Sequence, residues 1–400
     1  MASRQVLAWD MSESYASYWS LEPELLFLNH GSFGACPTAV LEAQHALRLE
    51  MERSPLTFLD RSYSVRLQQA KAALAAFVGA ASANLVFLPS TTAAVNTVLR
   101  NLALGPGDEI VATNFGYNAC RNALLAVTQQ AGARLVTVDL PFPVESSSQW
   151  VEAVVSAVSP RCRLLLVDHV TSVPGAIVPI EAMVRALPGV DVLVDGAHAP
   201  GMLDLDLEAL GVAYYAGNCH KWLCAPKGSA FLYVRPDRQP LHPLIVSHGA
   251  NSRRTDLAPF QLEFEWMGTA DPTPYLAVPA AIDHVGSLLA GGWPAVRQRN
   301  RALALAGRQI LAEVLDLELP APEDMIGSMA TVILPGERTP PDGGGPFQDP
   351  LREILFQRHR IEVPVARVPG RSGRWLRISA QLYNTLEDYR RLASALRAEL

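Results

Sequence analysis

Lysine is nearly missing from this chain. Only Lys71, Lys221 and Lys227 occur among 33 basic residues in 400 positions, so arginine carries the positive surface charge. That scarcity draws attention to each lysine kept. An amine that must lose its proton and attack a carbonyl has to be lysine, because a guanidinium stays charged. Paired cysteine is missing too. Cys36, Cys120, Cys162, Cys219 and Cys224 are odd in number and make no CxxC spacing, which argues against a disulfide framework or a zinc site. No apolar run approaches the ~20 residues that span a bilayer, and Met1 to Trp9 lack the basic-then-apolar pattern of a secretory leader. The expectation is a cytoplasmic protein with no membrane partner. No basic run interleaved with aromatics is present, so no nucleic-acid partner is expected. A net charge of −6 and 49% hydrophobic residues are an ordinary globular balance, and the length suits a large core in two domains.

Two of the three lysines fall in one stretch, YAGNCHKWLCAPKG, from Tyr215 to Gly228. Upstream, VDVLVDGAHAPG from Val190 to Gly201 reads as a short buried strand ending in Asp195, then a Gly-Ala-His turn. An acid at the carboxyl end of a parallel strand sits where open α/β sheets bind ligands. Lys221 follows the next apolar run, Val212 to Ala216. An acid and a lysine at adjacent strand ends meet the needs of pyridoxal 5'-phosphate. The lysine forms a Schiff base, and the acid keeps the pyridine nitrogen protonated so that the ring takes up electrons.

The rest of the chain supports an α/β reading. Units of strand and helix alternate from Asn84 to Ala216, which argues for a mostly parallel sheet between helices. FLNHGSFGACP, from Phe27 to Pro37, has glycines for a tight turn that displays Asn29 and His30, either toward substrate or as plain structure. Strand Asn84 to Leu88 runs into PSTTAAVN, where Ser90 or Thr91 opens a helix, as an N-cap or as part of a phosphate site. Tyr117 stands at the start of another helix, as a ring-stacking aromatic or a core tyrosine. His169, Thr171 and Ser172 end a further strand, as candidates to hydrogen-bond the cofactor's ring oxygen or as polar groups that satisfy a turn. Tyr63 to Val78 carries helical periodicity, Glu109 to Ala112 reads as a strand, and Tyr275 to Leu289 reads as a helix opened by Pro274. After Gly292 the chain reads as a helix to about Leu315, then an α+β unit with a Gly- and Pro-rich loop, Pro340 to Pro346, and a strand from Ile361 to Val368. The expected division is 1–38 for an arm and substrate-side loop, 39–292 for a large cofactor-binding domain, and 293–400 for a small C-terminal domain. The arm is expected to lie on the body or on a partner subunit.

The motifs FLNHGSFGACP, LPSTTAAVN, VDGAHAPG, GNCHKWLCAPKG, FEWMGTADP and LRISAQLYNT span nearly the whole chain in order. Together they resemble the class V aminotransferase superfamily of fold type I, in its isopenicillin N epimerase-like branch. The resemblance implies a large α/β domain with a smaller α+β domain. It implies Lys221 as the Schiff-base lysine, Asp195 on the pyridine nitrogen with His198 beside it, Thr171 on the ring oxygen and Tyr117 stacked on the ring. Thr91, Thr92, Asn218 and His220 would surround the phosphate. Thr269 would reach the phosphate of a neighbouring subunit, which implies a homodimer with shared active sites. Arg377 would grip the substrate α-carboxylate, with Asn29 and His30 on the substrate side. Two departures stand out. Ala270 replaces an arginine common in similar chains, and no cysteine follows Cys224, which argues against a persulfide mechanism.

The implied activity is chemistry at the α-carbon of an amino acid or its conjugate. Epimerisation comes first and needs a second acid, Tyr117 or His30. Carbon–sulfur β-elimination from cysteine conjugates comes second, and transamination third. A non-catalytic scaffold is disfavoured by the retained Asp195, Lys221 and Arg377. No metal is expected.

Overall fold

Apolar runs without polar alternation become strands covered on both faces. The computed structural model describes residues 11–336, 347 and 349–400. The expected Pro340–Pro346 loop and the Met1–Trp9 segment lie outside these. The strands are β1 (Leu26–Phe27), β2 (Leu85–Leu88), β3 (Glu109–Thr113), β4 (Arg134–Val138), β5 (Cys162–Asp168), β6 (Val192–Gly196), β7 (Tyr214–Asn218), β8 (Ala230–Val234), β9 (Met329–Leu334), β10 (Ile361–Glu362), β11 (Val365–Ala366) and β12 (Arg374–Ser379). Seven form the central sheet in the order β2-β8-β7-β6-β5-β3-β4. Strand β8 pairs antiparallel with both neighbours, and the other pairings are parallel. This is the mostly parallel α/β sheet expected from the alternation.

The sheet divides the core in two. Along β2, Val86 and Leu88 join one apolar cluster, with Val95, Val98 and Leu124 of helices Thr91–Asn101 and Asn118–Ala131. Leu85 and Phe87 join the cluster on the other face, with Leu67 and Leu74 of helix Tyr63–Val78. In the central sheet, exposed residues are confined to the edge strand β4 and to Arg163 at the start of β5. A second, antiparallel sheet has the order β11-β12-β9. Helix Gly292–Leu315 packs on β9 and on the C-terminal helix Leu386–Glu399.

Two expectations change in detail. The run Ile361–Val368 is two strands, because Pro364 lacks an amide to continue a ladder: β10 pairs with β1, while β11 pairs with β12. The helix expected over Tyr275–Leu289 is divided into Thr273–Leu276 and Val278–Ser287, with Pro279 at the break. The described part of the arm lies on its own chain. The Tyr15 amide donates to Leu382 O at 3.2 Å, and β1 runs parallel to β10.

Candidate active site

Strands β5, β6 and β7 are neighbours whose carboxyl ends open into one cavity of ≈ 180 Å³. Ligands bind at this end of an open α/β sheet. Its lining includes Thr91, Thr92, Tyr117, Asp195, His198, Asn218, His220 and Lys221, eight of the residues singled out in the sequence.

Lys221 stands on the turn after β7, and its surroundings are built from three motifs. Gly34, at φ +69°, lies so close to this turn that a methyl group there would meet His220 O at 2.1 Å. Gly201 is pressed equally hard against Trp222. The FLNHGSFG loop and the DGAHAPG turn therefore hold the backbone of the lysine turn. The Lys221 amine is 3.2 Å from His198 Nε2. Behind it, Trp222 Nε1 donates to His198 Nδ1 at 3.4 Å. Indole only donates, so Nδ1 is the acceptor and Nε2 carries the hydrogen. In its neutral form the amine accepts that hydrogen. Burial, with help from the Arg377 charge, lowers the Lys221 pKa to about 8, against the opposing pull of Asp195. Burial also holds His198 well below its usual range.

Asp195 ends β6 and is buried. Its Oδ1 accepts from the Ala197 amide at 3.0 Å, and its Oδ2 from the Cys120 thiol at 3.2 Å. Burial raises its pKa. Tyr117, before the first turn of helix Asn118–Ala131, is 47% exposed and lines the cavity, so it is not a core tyrosine. At the start of helix Thr91–Asn101, Ser90 is the N-cap, its hydroxyl accepting from Ala93 N at 3.1 Å. Asn218 Oδ1 accepts from Thr91 N at 3.0 Å. The Thr91 hydroxyl is buried without a partner. His220 Nδ1 is 3.2 Å from Ser229 O, and burial lowers its pKa to about 4.

Five singled-out residues do not line this cavity. The Thr171 hydroxyl accepts from the Gly175 and Ala176 amides at 3.1 and 3.0 Å, closing a buried turn, and Ser172 faces the cavity instead. His30 is fully buried behind the lysine turn, with Nδ1 2.8 Å from Tyr383 Oη and Nε2 3.0 Å from Lys221 O. It supports the lysine backbone and does not reach toward a substrate. Arg377 lies behind Ser172 and Ser32. It donates to Ser172 O at 2.6 Å, to Asn29 Oδ1 at 3.2 Å and to Ser32 Oγ at 3.3 Å. Asn29 thus orients Arg377. Burial alone lowers the guanidinium to about 10, and among the described residues no carboxylate pairs with it. Thr269 is exposed and borders a separate pocket with Leu56, Tyr63, Arg254 and Trp266.

Sequence reasoning passed over Asp168 and Cys120, which join Asp195. The signal for Asp168 was present: LLLVD ends one strand as VLVD ends the next.

The family model for class V aminotransferases matches residues 39–340. The chain belongs to the class V aminotransferase family. It is 36% identical over 396 residues to an isopenicillin N epimerase of Streptomyces clavuligerus, covering 94% of this chain and 96% of that one. It is 31% identical over 415 residues to a probable chloroplastic L-cysteine desulfhydrase of Arabidopsis thaliana, covering 96% and 85%. Among solved structures, the cystine C–S lyase C-DES in complex with cysteine persulfide superposes with a TM-score of 0.77 at 21% identity, covering 94% and 97%, a likeness of fold. The chain is a pyridoxal phosphate-dependent enzyme, with epimerase-like or C–S lyase chemistry. The cavity fits that cofactor: it offers a buried amine with a lowered pKa, a buried carboxylate, and, among the described residues, an unpartnered hydroxyl at a helix start. Among the described residues, no helix is long and apolar enough to cross a membrane.

Proposed function

We propose that this enzyme inverts the α-carbon of an amino acid or amino-acid conjugate, with Lys221 and Tyr117 as its two proton-handling groups. The observation that carries the reading is the buried Lys221 amine set against His198, which Trp222 holds from behind, in a cavity that Tyr117 also lines. Lys221 binds the cofactor covalently and, once released by substrate, takes the α-proton. Asp195 pairs with the ring nitrogen, and His198 positions the amine. Thr91, Thr92, Asn218 and His220 hold the phosphate. Bound pyridoxal phosphate supplies the electron sink that makes the α-proton acidic. Arg377, a buried cation with no carboxylate partner among the described residues, receives the substrate carboxylate, oriented by Asn29. With His30 committed to Lys221 O and Tyr383, Tyr117 is the acid left to return a proton.

A second reading is elimination of a thiol from a cysteine conjugate. It shares every step up to α-proton removal. No cysteine lines the cavity among the described residues, so sulfur would leave as a free product. Incubation with D- and L-amino acids and cysteine S-conjugates in deuterated water, with chiral and mass analysis, separates the readings. Inversion with deuterium at the α-carbon is expected. Release of pyruvate and ammonia without inversion would replace it with the second.

The working form on this reading is a cytoplasmic homodimer. The five free cysteines suit a reducing compartment. Thr269 is exposed outside the cavity of its own chain, beside exposed Leu56, and its neighbours Gly268 and Ala270 line a pocket with exposed Leu244 and Ile245. Thr269 would then serve the neighbour's phosphate. Mixing Lys221→Ala and Thr269→Trp chains should restore activity in heterodimers, and verified heterodimers without activity would rule out shared sites.

A further inference from the structure

Strands β5 and β6 deliver a second carboxylate beside the first. Asp168 and Asp195 are direct partners in the parallel register. Partner residues on neighbouring strands lie about 4.8 Å apart and project to the same face. Both side chains are 3% exposed and both line the cavity. Asp195 has a donor on each oxygen, Ala197 N and Cys120 Sγ. Asp168 Oδ2 has none. It lies under the loop that carries Tyr117: a methyl group on Gly116 would be 3.9 Å from it, and the Tyr117 amide acts on the same carboxylate.

The neighbours leave this pair one positive charge short. Lys221 supplies one charge that draws both carboxyls down, while His198 beside it is held toward its neutral form. Burial pushes the Cys120 thiol up, so it remains protonated. Two like charges this close in a dry wall cannot both ionise without a cation between them. Both carboxyls are pushed upward, Asp168 first by burial and then by the Asp195 charge.

We propose that Asp168 and Asp195 form one carboxylate pair that keeps a single proton until the cationic ring nitrogen of the cofactor arrives, Asp168 being the positioning member that also seats the Tyr117 loop. The inference rests on the reading that Asp195 faces that nitrogen. The proton balance follows. A nitrogen that arrives protonated displaces the pair's proton to solvent, and one that arrives neutral takes it. With the second carboxylate removed, Asp195 is ionised beforehand and has no proton to give. In both cases the native chain releases one more proton per site than the variant.

The test is calorimetric titration of pyridoxal phosphate into the cofactor-free full-length chain, native and Asp168→Asn, in two buffers of different ionisation enthalpy near neutral pH. The native chain is expected to release about one more proton per site. Equal counts, within roughly a third of a proton, would overturn the pair. A native chain that takes up no pyridoxal phosphate would instead sink the cofactor assignment. Should Asp168→Asn lose its fold without cofactor, the holoenzyme decides. The lost charge should lower the pH midpoint of the bound cofactor's absorbance change, and Asp168→Glu should bring it back. An unchanged midpoint overturns the proposal.

Discussion

The turn that carries Lys221 and the rest of the cavity wall are finished to different degrees. Around the lysine, polar groups are paired within the chain: His198 with Trp222, His30 with Tyr383 and Lys221 O, and Lys227 Nζ with Gly34 O at 3.0 Å. Elsewhere, Thr91 Oγ1 and Asp168 Oδ2 on the wall, and Arg377 Nε behind it, are buried with no partner. A buried polar atom without a partner costs about 1–3 kcal/mol. A chain sustains that cost where a ligand supplies the missing bond. The contrast separates the groups that fix the Lys221 turn from those that, on the proposed reading, await phosphate, ring nitrogen and carboxylate.

Breaking the unfinished side at its charge centre should have the largest effect. Asp195→Asn keeps the shape and loses the anion, so turnover should fall about a hundredfold or more, close to 3 kcal/mol of transition-state stabilisation. Steady-state rates with cofactor content measured alongside check this, and near-normal turnover would contradict the role. Arg377→Lys should act on substrate rather than cofactor. An ammonium cannot offer the guanidinium fork, so kcat/KM should drop about tenfold or more, with cofactor absorbance unchanged. Equal kcat/KM for the two proteins would remove Arg377 from carboxylate binding. The smallest effect tests the paired side. In Trp222→Phe, His198 is free to take the other tautomer and accept from a charged amine. Below its pKa the amine is protonated and cannot attack, so cofactor attachment rises with pH. The midpoint should lie near 8 in the native chain and higher in Trp222→Phe. An unchanged midpoint would break the link from Trp222 through His198 to Lys221.

Local pattern was enough for most of the fold. The apolar runs at Leu85, Glu109 and Val192 became strands, and the periodic stretch from Tyr63 to Val78 became one helix. Expectation failed where a proline removed an amide, at Pro364 and Pro279. At the site, strand-end residues were legible because the end of a parallel strand fixes a position: Asp195, Asn218 and Lys221 come together in one cavity. Direction within a loop was not legible. Nothing in FLNHGSFG says that His30 turns inward to Tyr383 while Ser32 and Phe33 line the cavity. Nor does HVTS say that Thr171 closes a turn and Ser172 faces out of it. Asp168 was missed because register between strands, which pairs it with Asp195, belongs to the sheet and not to either segment.

The account turns on Lys221 as the amine that takes the cofactor, in a chain with two other lysines to compare. Burial also lowers the Lys71 pKa to about 8, yet Lys71 borders neither Asp195 nor His198. Lys227 donates to Gly34 O. Borohydride reduction of the holoenzyme, followed by peptide mapping, reads the attachment point directly. The pyridoxyl group is predicted on Lys221 alone, and its recovery on Lys71 or Lys227 would contradict the site.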